Sequence, residues 1–193
     1  MVKKSGFALL LLSLSSAVNA AWQLDNSQSW LSFLSIKKQD VAELGMFKRL
    51  EGTVNDNGKA EVKIDLTSVD TNIEIRNERM QEFLFNTAEY SHAVLTAQLE
   101  MAKVNKLAIG EMIVQPLSVQ LDLHGVKQDI NGKVVITRLV EDRVLVASQT
   151  VLVVNAADFN LVRGIDKLRE LAGLPSISKA VPVSLVLTFK LMP

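Results

Sequence analysis

The strongest constraint in this sequence is a two-residue rhythm. Val62, Ile64 and Leu66 alternate with Lys63 and Asp65, and Leu117, Val119, Leu121 and Leu123 alternate with Ser118, Gln120 and Asp122. Val183, Leu185, Leu187, Phe189 and Leu191 alternate with Ser184, Thr188 and Lys190, interrupted only by Val186. Successive side chains of a strand point to opposite faces, so the pattern describes strands with one apolar and one wet face, as antiparallel sheets have. Turn formers separate the runs: Asn55-Asp56-Asn57-Gly58, His124-Gly125, Asn131-Gly132 and Glu141-Asp142.

The rhythm predicts eight strands, near 29–36, 46–54, 60–66, 93–103, 108–123, 127–139, 143–154 and 181–191. The fifth carries Pro116, which cannot donate to a ladder and so implies a bulge or bend. Two segments do not alternate. Residues 72–86 and 164–173 place Ile75, Arg79 and Phe83, and Ile165, Leu168 and Leu171, at helical spacings, and Gly173 and Pro175 stop the second helix. This is an all-β chain with two short helices. Eight antiparallel strands favour an eight-stranded closed barrel, because closure removes the edges on which other chains would pair. A two-layer sandwich gives a similar periodicity. At eight strands a barrel is wide enough to hold one small ligand, but a valine- and leucine-rich lining suits an internal apolar cavity and an interdigitated core equally.

The 193 residues fit one domain, and 48% apolar with 22% charged excludes a disordered or low-complexity chain. Twenty-one basic and 21 acidic residues give a formal charge of zero, which argues against nucleic acid as a partner, and the lack of cysteine excludes disulfides and thiolate chemistry. Residues 1–20 read as a cleaved signal peptide: Lys3 and Lys4, an apolar run through Leu9–Leu12 and Leu14, then Val18-Asn19-Ala20. The run is too short to span a bilayer, so an N-terminal membrane anchor is the weaker reading. Cleavage leaves a domain of 21–193 with 19 basic and 21 acidic residues, and it predicts a periplasmic address with no integral membrane segment. The mean hydropathy of +0.21 falls to about +0.10 without the leader, ordinary for a packed domain.

Five blocks carry a resemblance to a family. They are Trp22-Gln-Leu-Asp with Ser29-Trp-Leu-Ser-Phe33; Gly45-Met-Phe47 with Gly52; Ser68-Val-Asp-Thr71 through Arg76-Asn-Glu-Arg-Met80, Glu82-Phe-Leu-Phe85 and Tyr90; Leu121-Asp-Leu-His-Gly-Val-Lys127; and Asn155-Ala-Ala-Asp-Phe159. In this order they resemble the YceI-like family of periplasmic, lipocalin-like, polyisoprenoid-binding proteins. The chain departs from the family's pattern at Asn77, where an aspartate is usual, at Arg79, where a histidine is common, and at Ser91 and Asn160. The resemblance implies a barrel whose apolar pore holds an isoprenoid tail, with the polar head at one mouth and a homodimer as one assembly. The candidate lining is Leu31, Phe33, Phe47, Phe83, Phe85, Val119, Leu121, Phe159, Leu185 and Leu187; each of these equally suits plain core.

Few residues suggest other chemistry. His92 and His124 lack a metal-ligand spacing and read as loop and turn residues. No Gly-x-Ser-x-Gly elbow and no glycine-rich nucleotide fingerprint occurs, so neither hydrolysis nor a nucleotide cofactor is expected. Among the cations Lys37, Lys38, Lys48, Arg49, Arg76 and Arg79, the last two lie three apart and share a helix face, where a phosphate or quinone head would suit them. The competing and favoured reading is pairing with Glu74, Glu78 or Glu82 along the same helix. The expected function is therefore a non-catalytic carrier of a long-chain isoprenoid amphiphile, a quinone or polyprenyl compound. The alternative is a packed barrel acting as a stress-response or protein-interaction module, and a lipid-acting enzyme ranks last.

Overall fold

In the computed structural model, which describes residues 22–192, the alternating segments pair edge to edge and the last returns to the first. The expected leader, 1–20, lies outside the described residues. Eight strands form the ring, several of them in two segments. They are β1 (Trp22–Leu24 with Trp30–Lys37), β2 (Val41–Phe47 with Leu50–Val54), β3 (Lys59–Asp65) and β4 (His92–Gln98). β5 (Met112–Leu123), β6 (Val126–Val140), β7 (Arg143–Ser148 with Leu152–Asn155) and β8 (Ala180–Leu191) complete it. Every neighbouring pair is antiparallel, and β8 closes the barrel on β1 through Phe189 against Leu24 and Leu185 against Leu31. The barrel expected from the alternation is present; the sandwich is not.

Four details differ from expectation: β2, expected over 46–54, already begins at Val41, where Glu43 and Gly45 interrupt the apolar alternation, and three others have local reasons. β4 ends at Gln98 rather than 103, and a helical turn, α2 (Met101–Val104), takes over with Val104 buried. Because β4 pairs only with Val119–Asp122 of β5, the rest of that edge is unpaired. Pro116 therefore sits in β5 without interrupting a ladder, and the register with β6 runs unbroken from Met112 to Leu123. The bulge lies instead at Arg143/Val144 of β7.

β1 and β2 each break once, at the same level. In β1 the Asp25 carboxylate accepts from the Ser27 N–H and hydroxyl, turning the chain through Asn26–Gln28. The Asn26 amide then stitches this break to the one in β2, donating to the Lys48 carbonyl (3.0 Å) and accepting from the Leu50 N–H (2.7 Å). These bonds satisfy backbone groups that left the ladder. Above the breaks the barrel opens. The upper half of β2 pairs on one side with β1 but on the other only with the short strand Val69–Asp70.

The opening is covered by α1 (Glu74–Arg79), which runs into a π-helical turn over Met80–Phe85 ended by Asn86 at φ 48°. Behind it packs α3 (Val162–Leu171). Gly164 permits that contact, since a Cβ there would stand 2.6 Å from the Phe83 carbonyl oxygen. The described residues contain no helix long and apolar enough to cross a membrane.

Candidate functional site: an apolar cavity with a cationic mouth

The inward faces of the strands do not fill the upper barrel. A cavity of about 460 Å³ remains, walled by Leu31 and Phe33 of β1, Phe47 of β2, Leu121 and Leu123 of β5, Leu185 of β8, and Met80 and Phe85 of the α1 segment. This size is ordinary for a small-molecule site, roughly 300–1,000 Å³. Below it a narrower space of about 90 Å³ shares the walls formed by Leu95, Ile130, Leu152 and Leu185. A last void of about 20 Å³ lies against Trp22, Ile136 and Val144. The free space thus narrows along the barrel from about 460 to about 20 Å³, toward an end sealed by the buried Trp22, Val104 and Arg138.

Of the ten residues singled out in the sequence, Leu31, Phe33, Phe47, Phe85, Leu121 and Leu185 line the wide cavity. Val119 and Leu187 line the narrow part. Phe33, Phe47 and Phe85 form a run of tilted rings with centroids 5.5 and 5.9 Å apart. The remaining two lie off the cavity. Phe159, 1% exposed, packs in the core. Phe83 is 37% exposed. Helical spacing places Phe83 below Ile75 and Arg79, but the π turn widens the helix and hands the inward positions to Met80, Leu84 and Phe85. Sequence reasoning missed Ile64, Leu66 and Leu123, whose signal was their place in the same alternating runs, and Ala93, whose strand His92–Gln98 does not alternate cleanly. Gly45 has no room for a side chain, since the Phe33 ring occupies the space where its Cβ would be, 2.4 Å away.

The polar groups gather at the mouth. Lys37 and Arg76 both bind the Glu43 carboxylate, bringing β1, β2 and α1 together. Arg76 thus pairs across to β2 and not along its own helix, correcting the favoured expectation. The hydrogen bond from Lys37 holds the Glu43 carboxyl below its ordinary range, against partial burial and with help from Arg76. Arg79 also reaches the cavity wall and donates to the Leu171 carbonyl at 3.4 Å. Lys48 and Arg49 are engaged elsewhere, with Asp70 (2.5 Å) and Asp65 (2.8 Å). Bonds from Lys48 and the Asn72 N–H hold Asp70 down at about 2.

At the sealed end Arg138, 8% exposed, lies 5.3 Å over the Trp22 ring and donates to the carbonyls of Glu141 and Val104. His92 bonds Ser91 through Nδ1 (2.8 Å), and His124, at φ 53°, packs on the Tyr90 ring (4.4 Å). The described residues include no group of three His, Cys, Asp or Glu side chains placed to hold a metal. What the arrangement can do chemically is take up hydrocarbon, at about 0.8 kcal/mol for each methylene buried.

Comparison with known proteins agrees with this geometry. A polyisoprenoid binding domain from Saccharophagus degradans, implicated in plant cell wall breakdown, superposes with a TM-score of 0.88 at 42% identity, over 90% of this chain and 99% of its own. BcnA of Burkholderia cenocepacia (TM-score 0.65, 19% identity, 86% of this chain and 98% of its own) shares the fold. So does a YCEI protein of Campylobacter jejuni (0.56, 14%, 99% and 94%). No curated protein matches. Residues 22–189, the whole barrel almost to the end of its closing strand, match the YceI-like domain, and the chain belongs to that family.

Proposed function

We propose that this protein is an exported, periplasmic binding protein that holds the tail of a long-chain isoprenoid amphiphile in its barrel and performs no catalysis. The observation that carries the reading is the cavity of about 460 Å³ walled by leucine, isoleucine and phenylalanine, with a narrower apolar space of about 90 Å³ below it. A barrel serving only as a surface for a protein partner has no need of an apolar cavity of about 460 Å³. The 42% identical Saccharophagus degradans domain, described as polyisoprenoid binding, supports the same reading. The N-terminal pattern of lysines, leucines and Val18-Asn19-Ala20 supports export, and the intact mass of protein recovered from its own host is expected to begin at Ala21.

The physical basis is hydrophobic burial in a preformed slot, which spares the protein the ordering cost of folding around its ligand. Titrating lipid-free protein with polyprenols of increasing length tests it. Each isoprene unit entering the cavity contributes on the order of 3–4 kcal/mol at full burial, so affinity rises steeply and then levels off once the taper is filled. Affinity independent of tail length would contradict the proposal.

A further inference from the structure

We propose that the mouth selects an anionic head, a phosphate or diphosphate carried on the isoprenoid, over a neutral head such as a quinone. This rests on the reading of the cavity as a tail site. The charged residues that reach the cavity wall are Lys37, Lys38, Arg76, Arg79 and Glu43, four cations to one carboxylate. Glu43 is spent between Lys37 and Arg76. Arg79, half-buried, has no carboxylate partner among the described residues, and its one hydrogen bond is the long one to the Leu171 carbonyl.

The nearby acids do not change that balance. Glu74 and Glu78 of α1 and Glu82 of the π turn are exposed and form no ion pair with Arg76 or Arg79, and neither does Asp40 in the turn after β1. On α3, Asp166 meets Lys179 at 3.7 Å and Glu170 meets Lys167 at 3.2 Å. The excess positive charge therefore stands at the rim of a water-poor, low-dielectric slot, where attraction is strengthened. An arginine fork matches phosphate oxygens in a bidentate manner, and such charge-assisted bonds are about twice as strong as neutral ones. A quinone carbonyl would accept one hydrogen bond and leave the charge uncompensated.

Inorganic phosphate offers the same chemistry without a tail, so the test has four arms: a polyprenyl phosphate, the polyprenol and the quinone of equal tail length, and inorganic phosphate alone. Calorimetric titration of the full mature chain is expected to show the polyprenyl phosphate binding at least about tenfold tighter than the other two lipids. Inorganic phosphate alone is expected to bind far more weakly. Salt should erode only the phosphate preference. Arg79→Gln should bring the phosphate ligand down towards the polyprenol. Glu43→Gln frees Lys37 and Arg76 and should raise the preference further, a gain that general damage to the mouth would not produce.

Equal affinity for phosphate and polyprenol, or loss of both to the same extent in Arg79→Gln, would overturn the inference and leave the tail site standing. Inorganic phosphate binding as tightly as the phosphorylated lipid would also overturn it. Failure of all three lipids would instead remove the tail reading, and the inference with it.

Discussion

At the sealed end of the barrel Arg138 lies over the Trp22 ring with its Nη groups on two backbone carbonyls. At the open end Arg79 faces a cavity of about 460 Å³ with only a long bond to Leu171. Both are arginines among apolar side chains, yet one is buried against a ring and two carbonyls, with only its Nε left without a partner, and the other fronts space. Packing changes in step. Around Trp22 the inward side chains of β1, β6, β7 and β8 close to a residual void of about 20 Å³, whereas above the strand breaks the wall parts and a helix bridges it. The lower barrel is thus the packed part and the upper barrel the hollow one.

Breaking the sealed end should have the largest effect. Trp22→Ala removes a 4% exposed ring and the partner of Arg138, and should cost about 3–5 kcal/mol in urea denaturation. A cost below about 1 kcal/mol would mean that the lower barrel is not the core. A matched pair of enlargements sharpens the contrast. Val144→Phe at the sealed end should cost about 1–3 kcal/mol by overpacking, while Leu31→Phe beside the cavity should cost less than about 1 kcal/mol and weaken tail binding. Equal costs would contradict a hollow upper barrel.

Between the two regions, Asn26→Ala strips partners from the Leu50 N–H and the Lys48 carbonyl. It should cost about 1–3 kcal/mol, with the denaturant slope nearly unchanged.

The smallest effect is that of acid. Asp25, Glu43, Asp65 and Asp70 are all held below their ordinary values, Asp70 at about 2. For Asp65 burial pushes upward, but bonds from Thr67 and Arg49 outweigh it. Stability from a depressed carboxylate is complete above its unfolded pKa and fades as pH falls through the native value, so the loss begins below about pH 4. Three of the four tie the upper barrel together. Amide exchange measured from pH 5 to pH 3 should therefore rise first in Val41–Phe47 and Val69–Asp70, before β6 and β8 at the sealed end. Simultaneous loss of protection throughout would contradict the division.

The division also explains what could be read from sequence. Strands such as β5 and β8 were legible because their inward positions are apolar along most of their length. The upper part of β2 was not, since its inward set includes Glu43 and Gly45, which break the apolar alternation. The same applies to Arg138, which follows Val134 and Ile136 on the inward face of β6, and to Gln115 on β5. An ion on an apolar face was the available signal at both ends of the barrel. The pairing of Arg76 with Glu43 spans 33 residues and two elements, and helix spacing carries no information about it. Phe83 was misplaced because a π turn leaves no mark on a 3.6-residue period. Trp22–Leu24, set off from the rest of β1 by the turn that the Asp25 carboxylate holds, is too short for a period of two to show.

The central claim, that the upper barrel is a hydrocarbon slot, is tested most directly by native mass spectrometry of the folded protein purified from its own host, before and after organic extraction. The account predicts a bound species released by the solvent as an isoprenoid lipid, regained on adding that lipid back, and reduced in Leu31→Phe. Folded protein that carries no lipid and takes up none when isoprenoids are added would contradict it.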